Sequence, residues 1–100
     1  MLIKKEKEME LVFTKENGRW VAEFEVASDF NLHIEGVTDS NVALYQRGSS
    51  TGEYAYVRNA VVYPSSGKVY DFDFTALVYP KYIKVSCATM PASGVVTFNA

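Results

Sequence analysis

Side chains two positions apart in this chain repeatedly share a chemical class, and they do so in short runs separated by turn residues. That period-two pattern belongs to half-buried β-strands and rules out a helical architecture for most of the chain. Trp20, Ala22, Phe24 and Val26 alternate with Arg19, Glu23 and Glu25. Phe30, Leu32 and Ile34 alternate with Asn31, His33 and Glu35; Tyr70, Phe72 and Phe74 with Asp71 and Asp73; and Ile83, Val85 and Cys87 with Tyr82, Lys84 and Ser86. Met9, Leu11 and Phe13 oppose Glu8, Glu10 and Thr14. The Asn17-Gly18 pair that follows is a strong hairpin signal, because both central positions of a type I′ turn need positive φ. The strands on either side of it are therefore expected to pair.

Gly36 to Asn41, Gly48-Ser49-Ser50-Thr51-Gly52, Pro64-Ser65-Ser66-Gly67, Tyr79-Pro80 and Met90 to Gly94 supply the remaining breaks. They delimit about eight strands, spanning roughly 7–14, 19–26, 30–35, 42–47, 54–59, 68–74, 82–87 and 94–99. Only the segment from Ile3 to Leu11, rich in Lys, Glu, Leu and Met, competes as a helix. The expected fold is all-β: an antiparallel β-sandwich with jelly-roll or Greek-key connections, a closed barrel being the rival. Trp20, Phe24, Phe30, Phe72, Phe74 and Phe98 would supply most of the core, and alanine at Phe24 or Phe72 would cost ~3–5 kcal/mol.

One hundred residues suffice for one domain, here residues 7–100 behind a charged N-terminal arm at 1–6. Ten basic against twelve acidic residues give a net charge of −2. A strong electrostatic hold on nucleic acid or an acidic membrane is not expected from that balance. No apolar run approaches a membrane span, and the start MLIKKEKEME lacks the apolar stretch of a signal peptide. The charge is uneven: 17 of the 22 charged residues precede position 59, and none follows Lys84. A final strand without repulsive charge could pair with the edge of another subunit through Val95, Val96 and Phe98, or could lie centrally in its own sheet, where charge would be excluded anyway.

Residues able to carry chemistry are few. His33 is the only histidine and shares its face with Asn31 and Glu35. A catalytic or metal role would need further partners, and a solvent-facing strand position explains it without any. Asp71 and Asp73 project from one face with a spacing of ~6.5–7 Å, compatible with an acid and base pair or a calcium ion. Glu23 and Glu25 repeat that spacing, which is how the wet side of an amphipathic strand reads. Cys87, the only cysteine, stands in the apolar half of its strand and reads as a buried, inert thiol. GSSTG lacks the lysine and the following helix of a phosphate cradle. No cofactor, metal or catalytic set is expected. The seven tyrosines are the remaining oddity. Tyr45 and Arg47 share one strand face, and Tyr54, Tyr56 and Arg58 share another across the GSSTG turn. Together they form a surface suited to sugars or to protein partners.

The strings SDFNLHIEG, ALYQRGSSTGEYAYV and VYDFDFTALVYPKYIKV carry a resemblance. From about Trp20 to Val85 the chain resembles small β-sandwich proteins encoded by tailed phages and prophages of gut Bacteroidales, crAss-like phages among them. The resemblance implies a virion component, of capsid decoration or head-fibre type, acting by assembly and binding. The expected partners are copies of the chain itself, other virion proteins or a glycan. The expected location is the virion or the bacterial cytoplasm.

Overall fold

The computed structural model describes residues 7–37, 41–61 and 69–98, with the side chains of 41 and 58–61 outside that description. The arm at 1–6, Tyr63 and the turn at Pro64-Ser65-Ser66-Gly67 lie outside the described residues. Among the described residues nine strands form two antiparallel sheets: β1 (Lys7–Glu10), β2 (Thr14–Glu16), β3 (Arg19–Val26), β4 (Phe30–Glu35), β5 (Asn41–Arg47), β6 (Ala55–Val61), β7 (Val69–Phe74), β8 (Lys81–Cys87) and β9 (Ser93–Phe98). A four-stranded sheet runs β1-β9-β4-β7 and a five-stranded sheet β2-β3-β8-β5-β6. The pairings β1 with β9, β3 with β8, β4 with β7 and β5 with β6 are nested like one long hairpin. Rolling that hairpin adds β4 beside β9 and β5 beside β8, which is the jelly roll.

The expected first strand, 7–14, is two strands. Residues 7–10 pair with β9, whereas 14–16 form the hairpin with β3 in the other sheet. Leu11 to Phe13 bridge the sheets, and the Leu11 amide donates to the Gly94 carbonyl at 2.8 Å. The Asn17-Gly18 turn has φ of 51° and 79°, the positive pair that the type I′ turn demands.

The core forms where the inward residues of the two sheets meet. Ala22, Phe24, Val26, Val42, Leu44, Ile83, Val85 and Cys87 pack from one side, and Phe30, Leu32, Ile34, Tyr70, Phe74 and Val96 from the other. Phe30 joins the layers: its ring meets Phe24 edge-on at 5.6 Å and stacks on Phe74 at 5.0 Å. Phe72 and Phe98 are only half-buried and pack around this cluster, and Trp20 is half-buried outside it. The centre of the core is therefore more aliphatic than the sequence reading had it. Among the described residues no helix is long and apolar enough to cross a membrane.

Candidate functional site

The order of the five-stranded sheet decides which outward side chains meet. Register places Glu23 opposite Lys84, Lys84 opposite Tyr45, and Tyr45 opposite Tyr56, so these four residues form one row across the sheet. The next row holds Glu25, Tyr82 and Arg47. Both rows stand on the outer face because their neighbours Phe24, Ile83, Val85 and Leu44 are committed to the core.

Tyr45 and Tyr56 meet edge-on at 5.9 Å. The GSSTG turn then folds back over the sheet. The Arg47 guanidinium donates to the Gly52 carbonyl at 2.7 Å and lies 4.3 Å from the centre of the Tyr54 ring. Tyr82 lies on another side of the same guanidinium at 5.9 Å, and Lys84 Nζ approaches the Tyr54 ring at 5.7 Å. The Tyr54 phenol is pushed above its ordinary pKa by burial and then by its hydrogen bond to Glu23. Tyr54 thus lies across the cations, while Tyr56 remains 59% exposed. Flat aromatic area alternating with fixed charge can stack on a ring and hydrogen-bond around it.

Tyr45, Arg47, Tyr54 and Tyr56 are accordingly brought together. Arg58 is not in their row. A bulge between Leu44 and Tyr45 shifts the register and sets Arg58 opposite Leu44; its side chain lies outside the described residues. Tyr82 and Lys84 join the surface although sequence reasoning left them out of it. Their alternation marked them as outward, and only the position of β8 between β3 and β5 gives them these neighbours.

His33 and the Asp71/Asp73 pair meet on the outer face of the other sheet, because β4 lies beside β7. His33 Nδ1 is 2.6 Å from Asp71 and Nε2 2.9 Å from Glu35. Asn31 donates to Asp71 at 2.8 Å and to Asp73 at 2.9 Å. With a carboxylate at each ring nitrogen the imidazolium donates both protons, so the hydrogen bonds to Asp71 and then Glu35 raise the His33 pKa. The same bond from His33 lowers that of Asp71. Among the described residues no group of three or more His, Cys, Asp and Glu is arranged to hold a metal ion.

The His33 network has a pH signature. A raised histidine pKa stabilises the fold fully below the unfolded value of 6.5 and loses its effect as pH rises through the folded value. A lowered aspartate pKa stabilises above 3.8 and loses its effect as pH falls through the folded value. The pair therefore acts between those limits. Because the groups are 36% and 52% exposed, solvent screening holds the gain to about 0–1 kcal/mol. Urea midpoints of the wild type and His33→Gln should differ most near pH 5 and converge towards about pH 9. A difference that stays constant over that range would show that the network contributes nothing through its charge.

The uncharged final strand does not offer an edge. β9 lies between β1 and β4, and Val96 faces the core with 0% exposure. The edge-pairing route through Val95, Val96 and Phe98 is closed, because both edges of β9 are already paired within its own sheet. Val95 and Phe98 are half-buried. Cys87 is buried, and burial raises its thiol pKa to about 11, as expected of an inert thiol.

Compared with known protein families, with curated proteins and with solved structures, the chain matches none.

Proposed function

We propose that this chain is a non-enzymatic binding and assembly module that works through the outer face of its five-stranded sheet. On the resemblance of its sequence, it serves as a virion component of capsid decoration or head-fibre type. The observation that carries the reading is the meeting of Tyr45, Tyr54, Tyr56 and Tyr82 around Arg47 and Lys84 on one outward face. Tyrosine and arginine are the residue types that dominate binding energy at protein interfaces. Here their rotamers are held in advance by the Gly52 carbonyl and by one another, which reduces the ordering entropy of association. Jelly rolls also serve as capsid and lectin domains, an analogy of fold that raises both readings without choosing between them.

Sedimentation velocity on the purified chain, alone and mixed with capsid and tail proteins of a Bacteroidales phage, tests the assembly reading. Association is expected, and Tyr56→Ala, at a position outside the core, should weaken it by about tenfold or more. A strict monomer at high concentration with no affinity for those proteins would refute it.

A second reading, a carbohydrate-binding module, is favoured by one observation. A polar cleft opens beside Tyr45, lined also by Glu16, Asn17, Arg19, Lys84 and Ser86. A glycan array decides between the two readings.

A further inference from the structure

Resting on the carbohydrate reading, we infer that the cleft between the β2-β3 hairpin and Tyr45 is a subsite for a single neutral pyranose unit. The cleft measures about 170 Å³, a volume suited to one sugar ring and too small for a folded protein element. A pyranose presents an apolar C–H face and a rim of hydroxyls that both donate and accept. A site for it therefore needs a flat apolar surface beside polar groups of both kinds. Tyr45 supplies the surface. Glu16 can only accept and Lys84 can only donate, and Asn17, in the turn at the tip of the hairpin, does both.

The pair Lys84 and Glu16 is set for insertion. Their polar atoms are 3.5 Å apart, at the outer limit of a hydrogen bond. A hydroxyl between them would accept from Lys84 and donate to Glu16, exchanging one long contact for two of ordinary length. The floor of the cleft is rigid, because Arg19 donates to the buried Ser86 through its hydroxyl at 2.5 Å and its carbonyl at 3.0 Å. The charge of the site is balanced. Arg19 and Lys84 stand against Glu16 and against Glu23, the cross-strand partner of Lys84, so a neutral sugar suits the cleft.

Amide chemical-shift titrations with glucose test the subsite. Shifts are expected at residues 16, 17, 45, 84 and 86. Tyr45→Ala should weaken binding by about tenfold while Tyr45→Phe, which keeps the ring, retains it. Lys84→Met should weaken binding as well, because the donor to the bridging hydroxyl is lost. Preserved amide dispersion in each variant establishes that folding is intact, and Glu16→Gln, expected to weaken binding, carries the test if Tyr45→Ala unfolds. If shifts appear elsewhere, or if Tyr45→Ala and Glu16→Gln leave glycan binding unchanged, the subsite is refuted while the carbohydrate reading stands. If no glycan binds at all, both are refuted.

Discussion

Phe30→Ala is expected to destabilise the protein by about 3–5 kcal/mol, a large share of the ~5–15 kcal/mol typical of a domain. The ring is 1% exposed and joins the two sheets through Phe24 and Phe74. Its removal leaves a void between layers whose backbones are fixed by hydrogen bonds to strands on both sides, so collapse around the gap is limited and the cavity cost is added to the lost burial. Urea denaturation should show a lower midpoint with an unchanged slope. Phe72→Ala supplies the comparison. Phe72 is half-buried at the margin of the core, so its loss should cost less than the 3–5 kcal/mol range that alternation alone assigned to it. Equal costs at the two positions would contradict the packing described here.

Gly36→Ala is expected to cost about 2–5 kcal/mol, from two sources that act together. Gly36 has φ of 79°, a left-handed conformation that disfavours any residue with a β-carbon. A β-carbon built there would also lie 2.5 Å from Ala92 Cβ and 2.8 Å from the Ala92 nitrogen. That nitrogen donates to the Glu35 carbonyl at 2.9 Å, so the end of β4 and the segment entering β9 must part or lose the bond. Gly18→Ala separates the two sources. Gly18 has the same φ but open space around it, so only the conformational cost of about 1–2 kcal/mol remains. Thermal melts of the two variants should differ clearly, and indistinguishable melts would show that the contact with Ala92 is not tight.

The faces of the strands were legible because alternation is local: the inward side chains of β3, β4 and β8 follow from neighbours two residues away. The order of the strands was not, since pairing across a sheet leaves no mark within either strand. His33 and Asp71 illustrate the difference. Each was read as outward-facing, yet their hydrogen bond depends on the β4-β7 register between residues far apart in the chain. Tyr82 and Lys84 were missed as part of the tyrosine surface for the same reason. The division of the first strand had one local trace, Val12, an apolar residue at a polar position of the alternation, 79% exposed where the chain crosses between sheets. Arg58 was misassigned to the tyrosine row because a bulge adds one residue and shifts the parity of everything after it.

The interior position of β9 governs the order of events during synthesis. On the ribosome β4 emerges early, yet one of its two neighbours is not made until residues 93–98 are, and Phe30 waits for Phe98. Until then the four-stranded sheet is without its centre, and the nascent polypeptide exposes oily strand surfaces to whatever is nearby. Such delayed closure favours slow folding, in which chaperones would shield the half-built layer.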